Sequence, residues 1–148
     1  NHLERHDSAF YYLHRKVGAD PTFADHRWAT EFLGSVKSFE HFLSKMENQA
    51  RYRRQVSRYI NFRDQLDWIS GPRTTGRKIL IDHVAKYETL KEDYALISQK
   101  LNRKIELPHE RHLSDGRDFR QAYTSSQMVD IVTDIYSNDV EHFGYIFE

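Results

Sequence analysis

The chain has 148 residues, one domain's worth, and its 22 Lys plus Arg balance 22 Asp plus Glu, so no global field recruits nucleic acid or an acidic membrane surface. It contains no cysteine, which excludes disulfides and thiolate metal sites, and no run approaches the ~18 apolar residues of a membrane span. Any anion site must therefore be local. Aromatic residues make up 14% of the chain, with nine Tyr and nine Phe, so a core of large rings is expected rather than disorder. The chain opens on Asn rather than Met and shows no secretory signal pattern, so it reads as a soluble fragment of a longer protein.

The first helix is predicted from Leu3 to Lys16, with Asn1 as N-cap and Phe10, Leu13 and Val17 on one apolar stripe. Gly18, Asp20 and Pro21 end it. Arg5 and Ser8 lie one turn apart near its start. A guanidinium fork grips a phosphate through two bonds and a hydroxyl adds a third, so this pair suits an anion. The same two residues are also ordinary occupants of a solvated face.

A second helix begins near Ala24 and carries Trp28, Phe32 and Leu33. Ser38 caps a third, in which Phe39, Phe42, Leu43 and Met46 form a stripe running to Ala50. Residues 51–69 then interleave five Arg with Tyr52, Tyr59, Phe62 and Trp68. Three readings stay open for this stretch: a single-strand nucleic-acid platform, inward packing of the rings, and the lining of an anionic substrate's cleft.

Gly71, Pro72 and Gly76 punctuate a loop before a predicted strand, Lys78 to Val84. Thr89 with Glu92 reads as a capping box for a helix carrying Leu90, Tyr94, Ile97 and Leu101. Strand followed by helix is the half-unit of an α/β sheet and cannot fold alone, so further strands are expected before Asn1. After Leu107 and Pro108 comes a polar loop with His109, Arg111, His112, Ser114, Gly116, Arg117 and Arg120. Such a loop closes over a phosphorylated ligand or is simply a long polar connection. Thr124 and Gln127 form a second predicted capping box, ahead of Met128, Ile131, Val132 and Ile135.

Nine His show no HExxH spacing, and His109 with His112 lacks a third ligand nearby, so no metal site is expected. There is no GxSxG, no cysteine nucleophile and no Walker-type glycine loop.

The order of these parts resembles a known family. The string N-x-x-x-R-x-x-S-x-[FY], formed by Asn1, Arg5, Ser8 and Phe10 and followed by Tyr11 and Tyr12, is similar to the 3'-phosphate-binding segment of sulfotransferases that use 3'-phosphoadenosine 5'-phosphosulfate (PAPS), especially their carbohydrate branch. Phe62 to Ile69 resembles the family's Gln-containing segment ahead of its late strand. A hydrophobic run followed by Tyr87, Glu88, Leu90, Asp93 and Tyr94 resembles its strand and helix start. Leu107 to His109, then the stretch from Asp118 to Thr124, and finally Asp139, Phe143, Gly144 and Tyr145 resemble its closing pattern. His2 stands where the family has Pro, and residues 110–114 do not keep the family's Asn-x-Ser spacing.

The resemblance implies an α/β protein, residues 1–148 being the C-terminal, mostly helical part of a single P-loop-like sulfotransferase domain with few strands. The phosphosulfate loop and the catalytic base are then expected upstream of Asn1, so that the catalytic residue is unknown in this chain and the fragment alone is inactive. Arg5 and Ser8 would bind the 3'-phosphate, and Ser114 and Arg117 would belong to a loop closing over the cofactor. Arg58, Arg63 and Gln65 would line the cleft of a carbohydrate or polysaccharide acceptor, and Tyr87 and Glu88 would be structural. PAPS is the implied co-substrate, with no metal, no nucleic acid and no membrane segment. Two alternatives stay open: a non-catalytic sulfotransferase-like binding or assembly module, and a helical nucleic-acid-binding module. The expected compartment is the cytoplasm of a bacterium, or the Golgi lumen if a preceding segment carries a membrane anchor.

Overall fold

The computed structural model describes residues 1–72, 74, 76–105 and 118–146. These are mostly helical and divide into two compact units, one from the described residues of 1–68 and 117–148, the other from those of 69–116. The larger unit contains α1 (His2–His14), α2 (Ala24–Leu33), α3 (Phe39–Asn48), α4 (Ala50–Val56), α7 (Ser126–Ile135) and α8 (Ser137–Phe143). The short α5 (Leu66–Ile69) spans the boundary, with all but Ile69 in the larger unit, and α6 (Leu90–Lys100) belongs to the smaller unit.

In the larger unit α1 packs against α2, α7 and the short turn Phe119–Ala122, while α3 packs against α4 and α7. The Asn1 side chain accepts from the Leu3 amide at 2.9 Å, satisfying one donor that the first turn leaves open. Leu3, His6, Phe10 and Leu13 then recur at helical spacing and are buried. The predicted helix end at Lys16 comes early: α1 stops at His14, and a turn leads to Gly18 with φ at +73°, a backbone geometry that glycine adopts without steric cost.

In α3 the Ser38 hydroxyl accepts from the His41 amide at 3.1 Å, and Phe39, Phe42, Leu43 and Met46 are buried as the stripe predicts. The helix does not reach Ala50 unbroken. Gln49, at φ −126° and ψ 88°, separates α3 from α4, so that Tyr52 and Val56 can turn into the core, where the Tyr52 hydroxyl donates to the Phe32 carbonyl at 2.8 Å.

Both predicted capping boxes are replaced by other bonds. At α7 the cap is Ser125, whose hydroxyl accepts from the Met128 amide at 3.4 Å, while Thr124 bonds the Met128 sulfur and Gln127 reaches Glu47. At α6 Thr89 makes no side-chain cap. Its hydroxyl donates instead to Asp93 at 2.8 Å, because that carboxylate already gathers the Lys86 amide and His83.

The smaller unit does not form the predicted strand. Among the described residues an antiparallel bridge joins Ser70 to Ile79, with the Gly71 amide on the Lys78 carbonyl and the Leu80 amide on the Ile69 carbonyl, both at 2.9 Å. A single extended segment leaves its backbone donors and acceptors without a ladder, so the apolar pattern of residues 78–84 cannot by itself make a sheet. None of the described residues from 69 to 105 is buried, and Leu80 and Tyr87 are 68% and 80% exposed.

Candidate functional site

Arg5 stands at the centre of a bonded cluster on the first two turns of α1. Its Nη1 donates to the Arg63 carbonyl at 2.7 Å and its Nη2 to Asp139 Oδ2 at 3.3 Å. The guanidinium carbon lies 4.5 Å from the centre of the Tyr136 ring, a cation–π placement. The Arg5 side chain keeps 24% of its surface in solvent, whereas Asp139 keeps none.

Asp139 holds more than the arginine. Its Oδ2 accepts from the Gln65 amide at 2.8 Å and its Oδ1 from the Leu66 amide at 2.9 Å. A carboxylate of α8 thus caps the start of α5 across more than seventy residues of chain. Burial pushes the Asp139 carboxyl above its usual value, while the two amide bonds and the Arg5 charge pull the other way.

Beneath this cluster lies His6. Its Nδ1 is 3.0 Å from the Tyr136 hydroxyl, which is itself 3.0 Å from the Phe62 carbonyl. The carbonyl can only accept, so the tyrosine donates to it and Nδ1 carries the imidazole proton. The ring stacks on Phe42 with centroids 5.6 Å apart and tilts against Phe62 at 5.1 Å. Its Nε2 is buried without a hydrogen-bond partner. Burial, aided by the nearby Arg5 charge, lowers the His6 pKa to about 3, and burial lowers that of His2 to about 4.

The structure sorts the residues predicted from sequence. Ser8 is exposed one turn beyond Arg5, and its hydroxyl has no partner among the described residues. Arg63 and Gln65 join the Arg5 cluster through their backbone: the Arg63 carbonyl receives Arg5 and the Gln65 amide binds Asp139. Their side chains are engaged otherwise, Arg63 with Asp67 at 3.7 Å and over the Trp68 ring at 5.2 Å, and Gln65 with the Tyr145 hydroxyl at 3.2 Å.

Arg58 is not part of this cluster. It follows α4 and is exposed, as are Arg51 and Arg54 within that helix. Of the rings in residues 51–69, Tyr52 and Phe62 are buried and Tyr59 stacks on Trp28 with centroids 4.0 Å apart while its hydroxyl binds Asp25, whereas Trp68 is 55% exposed. Ser114 and Arg117 lie outside the described residues, as do His109 and His112.

Sequence reasoning passed over His6 and Tyr136 and noticed Asp139 only as part of the closing pattern. His6 falls on the apolar side of α1 between Leu3 and Phe10, a position that flags a buried polar group. Among the described residues no group of three His, Cys, Asp or Glu could hold a metal ion, and no helix is long and apolar enough to cross a membrane. Comparison of the chain with protein-family models, with curated proteins and with solved structures finds no match.

Proposed function

We propose that these residues belong to a sulfotransferase that moves a sulfuryl group from PAPS to a hydroxyl or amine of a carbohydrate acceptor, and that they supply the grip on the cofactor's 3'-phosphate. The observation that carries this reading is the spacing of Asn1, Arg5, Ser8 and Phe10, set on one helix and its cap with the exposed Ser8 one turn from an arginine whose side chain keeps part of its surface in solvent.

In this reading Arg5 supplies positive charge and directed donors, and Ser8 adds a hydroxyl bond to the same phosphate. The exposed Arg58, like the exposed Arg51 and Arg54, serves an anionic saccharide. Arg63 and Gln65 serve the acceptor cleft by fixing its backbone as well as through their side chains. Ser114 and Arg117 close over the nucleotide. The fold is that of the carboxy-terminal part of an α/β, P-loop-like domain. The base and the phosphosulfate loop of the complete enzyme come from residues other than these, and the reaction needs no metal.

The test is calorimetric titration of the full-length protein with 3'-phosphoadenosine 5'-phosphate. Arg5→Ala should weaken binding by about 1.5–3 kcal/mol, the range for hydrogen bonds to a charged group. Unchanged affinity with the fold intact would remove Arg5 from the site.

A further inference from the structure

Arg5 is held on three sides. Two of its nitrogens are already committed, Nη1 to the Arg63 carbonyl and Nη2 to Asp139, and the Tyr136 ring supports one face. An arginine side chain free in solvent samples many rotamers and must surrender them when it grips a ligand. Here the ordering is done by the fold. Nε is buried without a hydrogen-bond partner, but Nη1 and Nη2 each carry a second hydrogen beyond the bond described, and the side chain keeps 24% of its surface in solvent, toward which these donors can turn.

Asp139 is what makes that placement rigid. Its carboxylate is fully buried, and its two oxygens are each gripped by a backbone amide, Gln65 on one and Leu66 on the other. All three bonds that it accepts require an oxygen acceptor, which is the ionised form's whole repertoire. The carboxylate therefore cannot swing to follow the arginine, and the arginine must come to it. The residue also opens the Asp-x-x-x-Phe-Gly-Tyr pattern at the end of the chain, in which Tyr145 returns to bond Gln65. The closing segment thus reaches the Arg5 cluster at two points.

We propose that Asp139 is a positioning residue for the anion site: it holds the Arg5 guanidinium in the orientation that receives the cofactor's 3'-phosphate, and so sets the preference for nucleotides that carry this group. This rests on the 3'-phosphate reading of Arg5. It differs from a purely structural role in what it predicts for two ligands that share the adenosine and the 5'-phosphate.

The experiment measures, in the full-length protein, the affinity ratio between 3'-phosphoadenosine 5'-phosphate and adenosine 5'-phosphate for the parent, Asp139→Asn, Asp139→Glu and the double variant Arg5→Gln/Asp139→Asn, with unfolding curves as the control for folding. Asp139→Asn should lower the ratio by about tenfold or more, mainly by weakening the bisphosphate, and should add nothing once Arg5 is Gln. Asp139→Glu, which keeps the buried charge but displaces it, should also lower the ratio and substitutes for the amide variant if that variant does not fold. A parent that prefers the bisphosphate, together with folded variants that bind both nucleotides proportionally weaker, overturns the positioning role and leaves the 3'-phosphate reading intact. Loss of the fold in both single variants assigns Asp139 to the scaffold and overturns the proposal as well. A parent with no preference overturns the reading and the proposal together.

Discussion

His6 carries an ionisable ring in a cage of Phe39, Phe42, Phe62 and Tyr136. The folded state holds it neutral, with a pKa of about 3 against 6.5 for the free side chain, and burial is the main cause. Below pH 6.5 the unfolded chain takes up a proton that the folded chain refuses until near pH 3, so stability falls as the pH drops through this window. The contribution of His6 to that loss is about 2 kcal/mol between pH 7 and pH 5, from 1.36 kcal/mol per unit of pKa difference. Asn at this position keeps an amide donor near Nδ1 and cannot titrate. Urea unfolding should therefore show the destabilisation caused by His6→Asn shrinking by about this amount between pH 7 and pH 5. A stability difference independent of pH would mean that the imidazole is not kept neutral by burial.

At the scale of elements, the helices follow from stripes and caps, and the caps are where local reading needs correction. The hydroxyl of Ser125, not that of Thr124, meets an amide of α7. Ser125→Ala should cost about 1 kcal/mol in thermal or chemical unfolding, while Thr124→Ala, which loses a bond to a thioether, should cost less than half as much. The opposite order would restore the predicted capping box. The start of α5 has no such local solution. Its first amides are satisfied by Asp139 from α8, a partner that no pattern of spacing within residues 62–69 could indicate. The extended stretch before α6 shows the same limit from the other side. Its alternation of apolar residues is real, yet a strand is made by its neighbours, and the described residues provide a bridge and not a sheet.

At the scale of the whole molecule the two units differ in what they bury. The larger one encloses a continuous core that includes Leu3, Phe10, Phe42, Met46, Val56, Phe62, Val132 and Tyr136, whereas none of the described residues between 69 and 105 is buried. Opening a helix that buries little exposes little apolar surface, and its amides exchange at low cost. Hydrogen exchange should therefore protect the amides of α1 and α7 at least ~100-fold more than those of α6, from an opening difference of about 3 kcal/mol or more. Equal protection would show that α6 shares the cooperativity of the main core.

The sequence by itself determined α1, α2, α3 and α7, the burial of Phe10, Phe39 and Phe42 and the pairing of Arg5 with Ser8 on one helix, because a 3.6-residue repeat and a capping hydroxyl act between neighbours in the chain. For Arg63 and Gln65 the resemblance to a family implied an acceptor cleft and gave no sign of their backbone bonds to the Arg5 cluster. Only the tertiary structure decided how Arg5 is held. Asp139 lies 134 residues away, Tyr136 and His6 meet under the guanidinium through long-range packing, and the Arg63 carbonyl contributes as backbone with no residue signature at all. Buried charges and polar rings need partners wherever the fold can supply them, and which partner arrives depends on how the helices pack.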